Sequence, residues 1–220
     1  MALSLRAIKP ATATTIPEPP VAKFAFADTR IAWLWAIVRL YVGYQWLTAG
    51  LDKLVGRNFT FGASDFGVYN AKAQWVFTGG HDGAGFAGFI NGALAKSTGA
   101  HPDVQGWYAS FLRDFVLPNT GWVAYIITFG EVLVGLGLIV GCLTGIAAFF
   151  GLFMNFNFLL AGAVSVNPIL GILSLFLVLA WRVAGYYGLD SYILPLLGTP
   201  WTGTLTHDAE DIKDLRPATV

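Results

Sequence analysis

Four long apolar stretches divide the chain, and each has the length of a membrane-spanning helix. They lie at about residues 30–53, 121–141, 144–163 and 168–187, and a spanning helix needs about 20 mostly apolar residues. The turns after the second and third stretches are short, so these stretches are predicted to be antiparallel neighbours. The pattern predicts an all-α membrane protein: a bundle of four transmembrane helices with both termini on one side.

The loop between the first and second stretches, residues 58–118, has a different pattern. Apolar residues recur at helical spacing in two of its segments, and each segment keeps one polar face. We expect two amphipathic helices that lie in the membrane interface or cap the bundle. The apolar positions are Phe86, Phe89, Ile90, Ala93 and Leu94 in the first segment, and Val104, Trp107, Tyr108, Phe111, Leu112 and Phe115 in the second.

The two ends of the chain have no apolar stretch of this kind. Residues 1–28 are rich in proline and threonine and are predicted to form a tail that is disordered or contacts a partner. Residues 29–195 form the predicted membrane domain, and residues 196–220 form a polar C-terminal tail. Basic residues precede the first stretch, which favours cytoplasmic termini; they are Arg6, Lys9, Lys23 and Arg30.

The amino-acid composition favours a membrane protein, with membrane lipids as its surroundings. It is 55% hydrophobic and 12% charged, whereas soluble domains carry about 25% charged residues. The formal net charge is zero, so nothing indicates a nucleic-acid partner.

Charged and amide side chains inside the apolar stretches are the strongest candidates for function. Arg39, Glu131 and Asn155 each lie roughly 13–15 Å along their predicted helices, at 1.5 Å per residue. Intramembrane charges are costly and often functional. We expect an Arg39–Glu131 ion pair, with Asn155 or Asn157 completing its hydrogen bonds. The alternative is that such a pair only fixes helix register.

The first stretch has one face that carries both charge and small residues. Helical spacing brings Arg39, Gly43, Trp46, Gly50 and Lys53 to one stripe, which is predicted to face the other helices.

Arg182 lies nearer the end of the fourth stretch. It is expected to snorkel, to bind a lipid headgroup or to pair with Asp190.

Several chemistries lack the residues they require. A b-type haem needs axial ligands within the helices, whereas His81, His101 and His207 all lie outside the apolar stretches. We see no haem or metal site, and no nucleotide-binding or hydrolase motif in a suitable context. A redox role would therefore depend on a bound quinone or on a partner protein.

Four segments of the chain resemble the DoxX/DoxD family of small four-helix membrane proteins. The resemblance covers most of residues 30–195 and includes Arg39, Lys53, Glu131, Arg182 and Asp190. The matching segments are RLYVGYQWLTAGLDKL, HPDVQGWYASFLRDFVLPN, GEVLVGLGLIVGCLTGIAA and NPILGILSLFLVLAWRVAGYYGLDSYILP.

The resemblance implies a place in the plasma membrane of a bacterium or archaeon and a role in quinone-linked redox chemistry. The DoxD branch is the larger subunit of a thiosulfate:quinone oxidoreductase, which works with a DoxA partner, oxidises thiosulfate to tetrathionate and passes the electrons to quinone. This chain has no evident fused DoxA-like domain, so a separate DoxA-like subunit or a larger electron-transfer complex would be its partner.

Residue roles follow if the chain works as such an enzyme subunit. Glu131 and Arg39 are the candidate catalytic pair, with Glu131 relaying protons. Quinone is expected between the helices, near Trp46, Lys53, Asn155 and Arg182. The thiosulfate dianion is expected at the loop side, near Arg57, Arg113 and His101.

Two other classes of function compete with the enzyme subunit. The same bundle can be a non-catalytic accessory subunit docked on a larger respiratory or photosynthetic complex. A transporter is the least favoured class, because we see no internal repeat and no interrupted apolar stretch.

Overall fold

The structure is a computed structural model that describes residues 19–197. Within that range the protein is all-helical and has no β-strand, only an isolated bridge between Arg57 and Tyr69. The helices are α1 (Pro20–Ala27), α2 (Ala32–Val55), α3 (Ala84–Ala95), α4 (Gly106–Phe111), α5 (Thr120–Val140), α6 (Thr144–Leu160), α7 (Asn167–Leu179), α8 (Trp181–Ala184) and α9 (Asp190–Leu196).

Helices α2 and α5 pack antiparallel at very short range. Gly43 faces Leu138, and Gly50 faces Val132. A Cβ atom at Gly135 would lie 2.5 Å from the backbone nitrogen of Leu47. Small residues at such positions let two helix backbones approach closely, so the glycines set the register of this pair.

Helix α6 joins the bundle between α5 and α7. Gly130 of α5 lies against Met154, and Gly145 of α6 lies against Trp181. The centre of the bundle is filled by fully buried apolar side chains from all four helices: Val42, Leu138, Ala148 and Leu177.

The bundle has two different ends. The C-terminus of α2, the N-terminus of α5 and residues 56–105 form one end, called here the loop end. The contacts that hold this end together include hydrogen bonds from Phe59 N to Asp52 Oδ1, from Trp75 N to Lys53 O and from Lys96 Nζ to Gly162 O. The opposite end, called the terminus end, contains the α5–α6 turn together with α1, α8 and α9.

The helices predicted from periodicity agree with the structure in three of the four long stretches. These stretches correspond to α2, α5 and α6. The first amphipathic segment of the loop forms α3, with Phe86, Ile90 and Ala93 on its buried face. The prediction of an all-α protein is therefore confirmed over the described residues.

The second amphipathic segment was predicted to be a separate helix. In the structure it continues directly into the helix of the second long stretch. Residues Gly106–Val140 run on without a break. A π-helical segment (Leu112–Val116) and a 3-10 turn (Leu117–Asn119) connect α4 to α5. Proline lacks a backbone N–H, and Pro118 lies at the start of the 3-10 turn, where that donor is dispensable. The proline therefore changes the helix type without ending the helix.

The fourth stretch is interrupted, and the prediction of an unbroken helix over residues 168–187 is wrong. α7 ends at Leu179, and α8 begins after Ala180, whose ψ of 15° is not helical. Ala180 is fully buried. After α8 the chain turns so that Gly188 reaches the backbone of Gly141, at a position where a Cβ would lie only 2.8 Å from Gly141 Cα. This backbone contact at the terminus end accounts for the short final helices.

Part of the predicted N-terminal tail is helical. α1 packs against α8, the indole of Trp35 donates to Ala25 O at 2.8 Å, and the Phe26 ring stacks on Phe176. Residues 1–18, with Arg6 and Lys9, and residues 198–220, with His207 and most of the predicted C-terminal tail, lie outside the described residues.

One helix within residues 19–197 is long and apolar enough to cross a membrane, namely Gly106–Val140. Only 33% of its most apolar window is buried inside the protein. α6 and α7 are apolar but shorter, with 17 and 13 residues. α2 has 24 residues but carries Arg39, Asp52 and Lys53.

Candidate functional site

A buried ion pair joins α2 to α5 and is the centre of the candidate site. Lys53 Nζ lies 2.6 Å from Glu131 Oε2, and the side chains are 17% and 1% exposed. Lys53 also donates to Ala49 O at 3.3 Å. The second carboxylate oxygen, Glu131 Oε1, is buried and accepts no hydrogen bond from the described residues. One oxygen of the carboxylate is therefore paired, and the other has no hydrogen-bond partner within the described residues.

The predicted Arg39–Glu131 pair is wrong, because the helix register brings a different cation to Glu131. Arg39 instead donates to Leu138 O and to Tyr187 O, both at 2.9 Å. Gly50 lies opposite Val132, so Glu131 faces the C-terminal turn of α2 and Arg39 faces the C-terminal turn of α5. Counting residues from the start of each apolar stretch gave similar depths, but it could not give this register.

Aromatic rings surround the Lys53 ammonium group. It lies 4.9 Å from the centroid of Trp75 and 5.7 Å from that of Phe158, which is the geometry of cation–π contacts. Trp75 comes from the loop and was not among the predicted site residues. Its segment shows no helical or strand period, so no sequence pattern indicated that Trp75 would cover Lys53.

Trp46 and Asn155, two further predicted site residues, lie inside the bundle. The Trp46 ring stacks on Phe158, with centroids 6.3 Å apart, and its indole nitrogen lies against Gly151. Asn155, one helical turn beyond Gly151, is fully buried. Neither Asn155 nor Asn157 completes the hydrogen bonds of Glu131: Asn155 has no partner among the described residues, and Asn157 bonds Phe153 O and Tyr108.

Arg39 and Arg182 lie at the terminus end, away from the Lys53–Glu131 pair. Arg182 is exposed, with its guanidinium 5.9 Å from the ring of Trp181. The carboxylate of Asp190, one of its predicted partners, accepts hydrogen bonds from Leu143 N and Thr144 N. Asp190 thus serves as a cap for the start of α6.

The three residues predicted to bind thiosulfate are exposed and are not joined to one another. Arg57 donates to Gly67 O at 2.7 Å within its own loop, His101 lies between α3 and α4, and Arg113 lies in the π-helical segment. No hydrogen bond or ion pair connects them in the described part of the chain.

A large apolar groove runs along α5 and α6 beneath α3 and α4. Its volume is about 890 Å³, within the usual range for a pocket that holds a small molecule. Phe158 belongs both to the groove wall and to the aromatic surroundings of Lys53. Phe158 is therefore shared between the groove and the surroundings of the ion pair, so the groove lies close to the pair.

The comparisons with known proteins add no relative. Neither models of protein families, nor curated proteins, nor solved structures gave a match to this chain.

Proposed function

We propose that this chain is an integral membrane protein whose α2, α5, α6 and α7–α8 each cross the bilayer. Large apolar side chains point outward on all four: Ile37 and Leu40, Leu133 and Leu136, Phe149 and Phe153, Ile172 and Leu175. Soluble monomers rarely expose contiguous apolar patches of more than a few hundred Å², whereas a lipid-facing surface requires them. The termini are assigned to the cytoplasm, as the basic residues before α2 favour.

Within the membrane, the protein acts as a subunit of a quinone-linked redox complex of the DoxX/DoxD type. The observation that carries this proposal is the buried Lys53–Glu131 pair next to an apolar groove. Reduction of a quinone to a quinol consumes two electrons and two protons. A carboxylate with one unpaired oxygen, shielded from lipid, is suited to pass those protons.

The residues of the groove suit an elongated apolar ligand. Its walls are aliphatic and aromatic side chains, among them Phe89, Met154 and Phe158. The isoprenoid tail of a quinone would lie along these walls, with its ring toward Phe158 and the ion pair. Tyr108, whose hydroxyl donates to Asn157, is one of the few polar groups along the groove.

The substrate assigned to this complex is thiosulfate, as the family resemblance implies. Two thiosulfate ions and one quinone, with two protons, give one tetrathionate and one quinol. Arg57, His101 and Arg113 supply exposed groups that can attract a dianion near the loops. A separate DoxA-like subunit completes the electron path in this proposal.

The test is purification from native membranes in mild detergent, followed by quinone extraction and a thiosulfate:quinone reductase assay. We expect a bound quinone, a small partner subunit and thiosulfate-dependent activity. Glu131→Gln should lose at least about tenfold in turnover, because general acid–base groups contribute factors of this size or more. Asp114→Asn, a change in an exposed carboxylate, is the matched control. Full activity in a folded Glu131→Gln protein contradicts the assigned role.

A non-catalytic accessory subunit is the second candidate, and one observation favours it. The Lys53–Glu131 pair lies beside the Gly50–Val132 contact, so it can serve only to hold α2 and α5 in register. Recovery in a complex of many subunits, without quinone and without an effect of Glu131→Gln, would establish this role.

A further inference from the structure

Several polar side chains inside the bundle lack hydrogen-bond partners. Trp46 Nε1, Thr128 Oγ1, Glu131 Oε1, both amide atoms of Asn155, and Ser174 Oγ are all buried and have no partner within residues 19–197. They come from α2, α5, α6 and α7, and the residues are at most 3% exposed. Native proteins seldom leave such atoms unsatisfied.

The register of the helices brings these side chains to neighbouring levels. Gly130 packs on Met154, so Glu131 and Asn155, each one residue further along its helix, lie within about 3 Å of the same depth. Because α5 and α6 are antiparallel, one step beyond a contact turns both side chains to the same side of the interface. That side is the interior of the bundle, since both residues are 0% exposed.

Helix α7 leaves room next to Asn155. A Cβ atom at Gly171 would find Asn155 Oδ1 at 3.7 Å and nothing closer, whereas the glycines between α2 and α5 have no such space. Ser174 follows Gly171 by one helical turn. On the antiparallel helix α6, the residue one turn before Asn155 is Gly151, against which the Trp46 indole nitrogen lies. The unpartnered atoms of Asn155 and Ser174 thus lie near a position where α7 leaves space for one methyl group.

An apolar layer closes this region toward the terminus end. Val42, Leu138 and Leu177 are each 0% exposed and follow the polar side chains in that direction. Toward the loop end lies Lys53, which is 17% exposed beside Trp75. Along the axis of the bundle, the polar interior is therefore closed toward the terminus end and leads toward the loop end.

We propose that this interior niche, formed by Trp46, Glu131, Asn155, Gly171 and Ser174, binds a small cluster of water molecules. Internal waters need two to four polar partners each, and the niche offers acceptors at Glu131 and Asn155 and donors at Trp46, Asn155 and Ser174. Water is a better occupant than a metal cation, because Lys53 already balances the charge of Glu131. The cluster extends from Glu131 across to α7 and exchanges with one side of the membrane only.

This inference goes beyond the quinone function and does not depend on it. In a quinone-linked protein the cluster would carry protons to Glu131, and in an accessory subunit it would only satisfy the buried polar groups. Its test therefore measures water and not turnover.

The experiment is a water-selective nuclear Overhauser measurement on ¹⁵N-labelled protein in lipid nanodiscs. The probes are the Trp46 indole N–H and the Asn155 side-chain amide, assigned with Trp46→Phe and Asn155→Leu. We expect both to show cross-peaks to water in the wild-type protein. Gly171→Ala places a methyl group in the open space and should remove the Asn155 cross-peak, whereas Gly92→Ala, on an exposed face of α3, should leave both unchanged.

Two results overturn the proposal. The first is a folded wild-type protein in which neither probe shows contact with water. The second is a folded Gly171→Ala protein with both cross-peaks intact, which would place the water elsewhere. The wild-type measurement is decisive by itself if Gly171→Ala does not fold, and a protein that lacks quinone can still give the expected result.

Discussion

The two oxygens of Glu131 differ in their surroundings, and this difference is the main feature of the molecule at the scale of single residues. Oε2 is held by Lys53 at 2.6 Å, and Oε1 has no partner in the described range. A buried ion pair contributes little net stability compared with apolar residues of similar size, but a lone buried charge is expensive. Lys53 therefore offsets the cost of burying the Glu131 carboxylate between the helices.

Removing the cation alone should destabilise the protein strongly. We expect Lys53→Met to lower the free energy of unfolding by about 3–5 kcal/mol, because it leaves the Glu131 carboxylate buried and unpaired. Lys53→Met combined with Glu131→Leu should recover most of the loss. Thermal or denaturant unfolding in detergent measures both, with Lys72→Met at an exposed lysine as the control. If Lys53→Met alone is as stable as the wild type, the Glu131 carboxylate is not left buried and unpaired, and the prediction is wrong.

Asp82 should make the loop end sensitive to acid. Its carboxylate accepts from Thr78 N at 2.8 Å and from the Tyr125 hydroxyl at 2.7 Å. These hydrogen bonds, that of Thr78 first, hold the pKa of Asp82 below its usual value. A lowered folded-state pKa stabilises the protein above the unfolded value of about 3.9, and this contribution disappears as the pH falls further.

The measurement is the melting temperature of wild type and Asp82→Asn at pH 7 and pH 3. The wild type should melt higher at pH 7, and the difference should shrink at pH 3. Asp114→Asn, at an exposed carboxylate in the π-helical segment, removes the same charge and is the control. An equal difference at both pH values would contradict the assignment.

At the scale of elements, the contact between α2 and α5 is the most sensitive part of the fold. Gly135 lies against the backbone of Leu47, and a backbone cannot move aside as a flexible side chain can. Gly135→Ala should therefore destabilise the protein by at least about 1–3 kcal/mol, the usual cost of overpacking. It should also move Lys53 away from Glu131, because Lys53 lies on α2 and Glu131 lies on α5.

Gly92→Ala is the matched control for this prediction, because nothing lies within 4 Å of the added methyl group. Alanine favours the helix relative to glycine by roughly 0.5–1 kcal/mol, so this variant should be neutral or slightly stabilising. Unfolding of the two variants side by side provides the measurement. Equal stability would show that α2 and α5 are not packed at this distance.

Hydrophobic periodicity located most of the helices but not the contacts between them. α2, α3, α5 and α6 follow directly from runs of apolar residues, because that pattern is a local property of the chain. The partner of Glu131 depends on how far α5 slides along α2, which Gly50 and Gly135 determine. Trp46, Lys53, Glu131 and Asn155 were predicted as site residues, but placing Lys53 and not Arg39 beside Glu131 required the structure. The position of Trp75 depends on an irregular loop and could not be predicted.

At the scale of the whole molecule, the two ends of the bundle differ in construction. The loop end carries exposed irregular loops and the aromatic cover of Lys53, whereas the terminus end is closed by short helices and an apolar layer. If the bundle spans the membrane, the two ends face different compartments. Thr29 and Thr98, both exposed, mark the terminus end and the loop end.

Single-cysteine labelling tests this arrangement directly. The chain has one cysteine, Cys142, and Cys142→Ser gives a background in which Thr29→Cys or Thr98→Cys carries the only thiol. A membrane-impermeant maleimide applied to right-side-out and inverted vesicles should label the two from opposite sides, with Thr29→Cys on the cytoplasmic side. Labelling of both from one side would contradict a membrane-spanning bundle, and labelling with reversed sides would contradict only the orientation.

The cap that Asp190 provides has a consequence for how the protein is made. The amides at the start of α6 receive their acceptor from a residue 46 positions after Thr144, and Gly188 packs on Gly141 beside it. During synthesis, the hairpin of α5 and α6 therefore emerges from the ribosome with its turn unfinished. In a nascent chain that stops before Asp190, the amides of Leu143 and Thr144 lack the carboxylate that accepts from them in the folded protein. The contact that caps the start of α6 can therefore form only after nearly all of the bundle has been synthesised.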